Sequence, residues 1–125
     1  MKNKLNYIIW ASGYKETTGG VVVLHKLCDL LNKLGETAFM IPAVGLRQAN
    51  PEFGNLEKIK ENQVRTGKRF FYETNKNYNT PILDMGKFDP QDPSYVAIYP
   101  EGVQGNPMGL KNVVRFILYL SLIHI

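Results

Sequence analysis

The sequence predicts an α/β fold, a Rossmann-like parallel sheet flanked by helices, and three observations carry that expectation. An apolar, β-prone run at 6–11 (NYIIWA) is followed by a stretch of helical periodicity at 20–34. A second short β-prone run then fills 37–42, and a third lies at 95–99. Strand, helix, strand is the unit from which parallel sheets are built, because parallel neighbours need a crossover long enough to bring the chain back.

The elements follow in order. Residues 6–11 are apolar and β-branched or aromatic enough for a buried strand. Residues 12–18 are a polar loop. In 20–34, Val23, Leu24, Leu27, Cys28, Leu31 and Leu34 keep the three-and-four spacing of one helix face. Gly35 follows as a natural stop, and Pro42 closes the second strand. The stretch 43–68 is less regular, with a short helix expected over 51–63 from Phe53, Leu56 and Ile59. Short strands are expected at 69–73 and 81–85, with turn chemistry at 75–80, Asp89-Pro90 and Asp92-Pro93. After the strand at 95–99, a loop runs over 100–107. Asn106 then suits a helix N-cap and Pro107 the first helical position. Leu110, Val113, Val114, Ile117 and Leu118 supply the apolar stripe of a final helix.

Composition narrows the function classes. One cysteine among 125 residues cannot form an internal disulfide, so nothing points to an oxidising compartment. No apolar run approaches the ~18–20 residues that span a bilayer. The basic start, Met1-Lys2-Asn3-Lys4, precedes an apolar run too short for a signal peptide, so a cytoplasmic location is expected. Lys58, Lys60, Arg65, Lys68, Arg69 and Lys76, against Glu61 and Glu73, account for the whole net charge of +4. Phe70, Phe71, Tyr72 and Tyr78 interleave with these cations. Such a segment reads first as a solvated loop whose aromatics anchor in the core. An anionic membrane surface or acceptor comes next, and single-stranded nucleic acid last.

Two places carry chemistry. Glu16-Thr-Thr-Gly-Gly20 lies between the first strand and the first helix. The first amides of a helix lack internal partners and carry positive dipole character, and glycines let a phosphate reach them. The bland alternative is a turn capped by Thr17 or Thr18. The spacing matches neither G-x-G-x-x-G nor G-x-x-x-x-G-K-[ST], which disfavours a dinucleotide dehydrogenase and a P-loop enzyme. The second place is Glu101, just after the strand at 95–99, where a carboxylate holds a sugar hydroxyl, acts as a base, or is an exposed loop acid. His25 reads as a packed or surface histidine rather than a catalytic one, and Cys28 as a small core residue. No zinc spacing and no Ser-His-Asp set stands out.

The segment Tyr99-Pro-Glu-Gly-Val-Gln-Gly-Asn-Pro-Met-Gly-Leu-Lys-Asn-Val-Val-Arg115 resembles a stretch of bacterial glycosyltransferases of the two-Rossmann-domain (GT-B) type. Thr18-Gly-Gly20, with Leu24-His-Lys-Leu27 and residues 31–35, resembles the first loop and helix of the same N-terminal domain, and Asn79-Thr-Pro81 resembles another piece of it. The resemblance implies the acceptor-side half of such an enzyme, often linked to cell-surface polysaccharide synthesis. Gly19 and Gly20 would face the donor diphosphate, and Thr18, Glu101, Gly105 and Asn106 would line the cleft, Glu101 as the candidate catalytic group. The substrates would be a nucleotide-diphosphate sugar and a glycan or lipid-linked acceptor, with no cofactor and no bound metal. The second domain, which holds most of the nucleotide-sugar site, would lie outside this chain, and the fragment alone would be inactive. On this reading 1–119 is an incomplete N-terminal domain. Residues 120–125 resemble translated adapter sequence rather than native protein. The alternative is a stand-alone nucleotide- or phosphate-binding α/β module.

Overall fold

The computed structural model describes residues 4–42, 59–60, 72–100 and 105–116. Among the described residues four strands form one parallel sheet: β1 (Asn6–Ala11), β2 (Thr37–Pro42), β3 (Tyr95–Pro100) and β4 (Asn112–Phe116). A single long helix, α1 (Gly19–Lys33), connects β1 to β2. The strand order is β2-β1-β3-β4. Asn6 of β1 lies opposite Thr37 of β2 on one side and Tyr95 of β3 on the other. Val96 of β3 lies opposite Asn112 of β4. The α/β class and the parallel Rossmann-like sheet are therefore as the sequence predicts.

The two central strands are apolar on both faces, as parallel strands covered on both sides must be. Ile9, Ala11, Ala38, Met40 and Ile98 pack under α1 with Leu24, Cys28 and Tyr72. Ile8, Trp10, Ile41, Ala97 and Tyr99 form the opposite layer with Leu83, Met85, Met108 and Leu110. This alternation is the period-two pattern of the pleat. Each fully covered aliphatic side chain here contributes about 1.5–3 kcal/mol relative to exposure.

Helix α1 starts and stops within one residue of the predicted 20–34. Its end is closed by Gly35 N–H donating to Asn32 O and Glu36 N–H to Leu31 O, the paired bonds that satisfy orphan carbonyls at a helix C-terminus. Its buried face is narrower than the sequence pattern indicates. Leu24 and Cys28 are buried, with Leu27 and Leu31 packed beside them, whereas Val23 and Leu34 lie exposed. A second, polar stripe replaces them. His25, Asp29 and Asn32, at i, i+4 and i+7, face a strap formed by residues 72–80.

Asn32 holds that strap and a sheet edge together. Its amide donates to Ala38 O and Asn79 O, both at 3.0 Å, and its Oδ1 accepts Ala38 N–H at 2.9 Å. Two residues along, Met40 N–H donates to Pro81 O and Met40 O accepts Leu83 N–H, each at 2.9 Å. The outer edge of β2 is thus occupied at both positions, which blocks it as a template for strand addition. The strand expected at 81–85 is reduced to this single bridge, Met40 to Ile82. Tyr72 and Glu73, the described part of the strand expected at 69–73, belong to no strand. Of the helix expected over 51–63, Ile59 and Lys60 are described and are helical.

The largest departure is at 105–116. The final helix, capped by Asn106 and begun by Pro107, does not form there. Residues 106–109 make a β-turn closed by Gly109 N–H donating to Asn106 O at 2.9 Å, and β4 follows. Asn at the first and Pro at the second position suit a turn as well as they suit a cap. Gly109 decides between them, because its φ of +65° leaves the right-handed helical region. Val113 and Val114, read as helix-face residues, are β-branched and pair beside Ala97 and Ile98. Ile117, Leu118 and the segment 120–125 lie outside the described residues.

Candidate functional site

The sheet order itself marks a place. From β1 the chain crosses to β2 on one side, and β3 then adds to the other side of β1. The connections after β1 and β3 therefore depart in opposite directions, and it is outside the carboxyl ends of such strands that open α/β sheets bind ligands. The segment 12–18, with the start of α1, forms one wall. The turn at 105–109, hydrogen-bonded to Tyr99 near the end of β3, stands on the other side.

On the first wall, Thr18 occupies the N-cap position of α1 with extended backbone, but its side chain makes no capping hydrogen bond. The first turn carries no acidic residue. A Cβ built at Gly19 would meet nothing within 4 Å. Gly19 is thus exposed at the positive end of the helix, and no carboxylate in the first turn competes for its leading amides.

The loop leading there is fastened at its base. His25 is fully buried, and its Nε2 lies 2.9 Å from Ser12 O. A carbonyl only accepts, so Nε2 carries the proton and Nδ1 is bare. Tyr72 stacks on the imidazole at 6.0 Å and donates its hydroxyl to Ala11 O at 2.8 Å. Tyr14 contacts the ring edge-on at 5.4 Å and in turn meets Tyr78. Tyr14 N–H donates to Glu73 O at 2.7 Å. Gly13 permits that approach, since a Cβ there would lie 3.0 Å from Glu73 N. Burial holds His25 below its ordinary pKa, only partly opposed by the Ser12 bond. Burial also pushes the Cys28 thiol up to about 12, so no reactive thiolate forms there at neutral pH.

On the second wall the hub is Tyr99. Its hydroxyl donates to Asn106 Oδ1 at 2.6 Å and accepts Met108 N–H at 2.7 Å. Asn106 also donates from Nδ2 to Leu110 O at 2.7 Å. Both polar ends of Asn106 are therefore engaged in shaping its own turn. The Arg115 guanidinium lies over the Tyr99 ring at 5.1 Å and donates to Gly105 O. Burial raises the Tyr99 phenol to about 12, keeping it a neutral donor.

No family model, curated protein or solved structure matches this chain.

The geometry thus places the predicted residues as follows. Thr18, Gly19 and Gly20 lie together at the open helix start after β1. Gly105 and Asn106 belong to the turn beside β3. Glu101 lies outside the described residues. Among the described residues no group of three or more metal-ligating side chains comes together, and no helix is long and apolar enough to cross a membrane. Sequence reasoning missed Tyr14, Tyr72 and Tyr99 as supports of the two walls. Tyr72 reaches Ala11 across 61 residues, a contact without a local signal. The polar i, i+4, i+7 stripe of α1 was the one available hint that a strap covers that side.

Proposed function

We propose that this chain is the acceptor-side half of a GT-B type glycosyltransferase. Its whole enzyme moves a sugar from a nucleotide-diphosphate donor to a glycan or lipid-linked acceptor in cell-surface polysaccharide assembly. The observation that carries the reading is the uncapped, acid-free start of α1 at Gly19 and Gly20, beside the strand-order reversal. There the helix amides meet the donor diphosphate, while a second α/β domain supplies the nucleotide and sugar pocket. Glu101 is the candidate catalytic carboxylate, and Thr18, Gly105 and Asn106 line the acceptor side. The protein works in the cytoplasm, with the basic segment 58–76 meeting the inner membrane face or an anionic acceptor.

Uridine diphosphate titrated into the full chain tests this. Perturbation confined to the amides of residues 18–21, with affinity near the millimolar range that about −4 kcal/mol represents, is the expected result for one wall of a cleft. Unperturbed amides at those residues with saturating nucleotide would refute the phosphate assignment. Micromolar affinity, together with a stop codon directly after Ile125 in the gene, would favour a free-standing phosphate-binding module. Sugar transfer by the chain alone would refute the half-site reading.

A further inference from the structure

We propose that His25 is a pH-sensitive latch on the loop that follows β1, closed when the imidazole is neutral and released when it is protonated. This device is independent of what the loop binds.

The geometry makes the two protonation states unequal. In the neutral ring Nε2–H is satisfied by Ser12 O, and Nδ1 is a buried lone pair with no partner among the described residues. A bare acceptor is tolerated here, because nothing forces a donor into it. Protonation changes both facts at once. Nδ1 becomes a buried N–H donor with no acceptor among the described residues, and the ring carries a charge in a site with no solvent exposure.

The groups around the ring do not compensate. Tyr14 from the loop and Tyr72 from the strap bring aromatic surfaces, and Cys28, one turn along α1, brings a thiol held protonated. Asp29 is the nearest acid on the helix, and its two oxygens are engaged by Asn79 N–H at 2.7 Å and by Lys33 at 2.8 Å. Glu73, next to Tyr72, and Lys15 and Glu16 in the loop are all exposed. The Tyr72 face offers a cation some attraction, which offsets only part of the burial cost. The protonated ring therefore swings toward water. Ser12 O loses its donor and Tyr14 loses its edge contact with the imidazole, so the loop's described ties to the strap fall to the Tyr14–Glu73 backbone bond and the Tyr14–Tyr78 ring contact.

The sign follows from linkage. The closed form disfavours the proton, so the latch is at full strength above the ordinary histidine pKa of about 6.5. It weakens up to tenfold per pH unit below that value, until the closed-state pKa is reached.

Amide hydrogen exchange on the full chain between pH 7.5 and 5.5 tests the proposal, after correction for intrinsic exchange. The expected result is faster exchange at residues 13–20, by up to tenfold per pH unit below about 6.5, with the amides of Ile8 to Trp10 unchanged. His25→Gln, which keeps a side-chain N–H for Ser12 O but does not titrate, abolishes the response, and His124→Gln preserves it. An equal response in His25→Gln overturns the proposal, as does flat protection in the wild type. If His25→Gln does not fold, the imidazole resonances of the wild type decide. A midpoint below the free-histidine value, with the loop resonances moving in step, supports the latch. An ordinary midpoint, or a loop that ignores the titration, overturns it.

Discussion

Two neighbouring strands, β1 and β3, end side by side and hand the chain on in different ways. After β1 the chain makes a seven-residue polar loop and enters a four-turn helix whose first amides stay open. After β3 it passes through a tight turn and returns as a strand, with its polar groups turned inward onto Tyr99. Both exits contain glycine, a capping-type residue and an apolar three-and-four pattern. What separates them is persistence. In α1 the two glycines stand at the very start, and the helical period then runs on from Val21 to Lys33 with no glycine to interrupt it. After Asn106, Gly109 breaks the pattern within one turn, and adjacent valines favour the pleat. The first exit leaves its leading helix amides without a side-chain cap, whereas the second turns its polar groups onto itself.

The comparison breaks hardest at Tyr99. Tyr99→Ala removes a fully covered aromatic and the hub of the second exit, an expected loss of about 3–5 kcal/mol by urea unfolding. Tyr99→Phe keeps the ring but leaves Met108 N–H and Asn106 Oδ1 unpaired, an expected loss of about 1–3 kcal/mol. An effect of Tyr99→Phe within error of zero would show that the turn stands without the hub.

Asn32→Ala strips the partners from Ala38 and Asn79, and unfolding should show a loss of about 1–3 kcal/mol. Because it also uncovers an edge of β2, light scattering should rise at matched stability.

Gly109→Ala places a side chain at positive φ and should cost about 1–2 kcal/mol. Gly19→Ala is the opposing test. Its Cβ meets open space, so thermal melting should be unchanged or raised, by up to about 1 kcal/mol, while uridine diphosphate binding weakens. Equal destabilisation by the two substitutions would erase the distinction between the exits.

The smallest effect is electrostatic. The Asn79 N–H and the Lys33 ammonium hold the Asp29 carboxyl below its ordinary range. Its contribution is present above the unfolded carboxylate pKa of about 4 and fades as pH falls through the lower folded value. The stability gap between wild type and Asp29→Asn should therefore close below about pH 4. A gap that persists in acid would assign it to packing.

What was legible in the sequence was what local pattern controls. Strands β1 and β2 match 6–11 and 37–42, because apolar runs bounded by polar residues or proline leave little choice. Strand β3 exceeds its predicted range by one residue. Strand β4 was not legible, because five residues carry too short a period and its pairing with β3 is non-local. The open helix start was legible from Gly19 and Gly20. Its fastening was not, since His25, Tyr14 and Tyr72 come from three separated segments and meet only after the strap has docked.

The strand order also sets a timetable. Strand β1 finds β2 about 30 positions downstream, but its bonds on the other side, such as Asn6 to Ser94, join residues 88 positions apart. Closing the longer loop costs about 1 kcal/mol more in chain entropy, by logarithmic scaling. At roughly 5–20 residues per second, the ribosome makes the intervening chain in several seconds. During that interval β1, α1 and β2 are already complete, and the inner edge of β1 waits unpaired. A strand paired on both sides in the finished protein is thus left with one edge open during its synthesis.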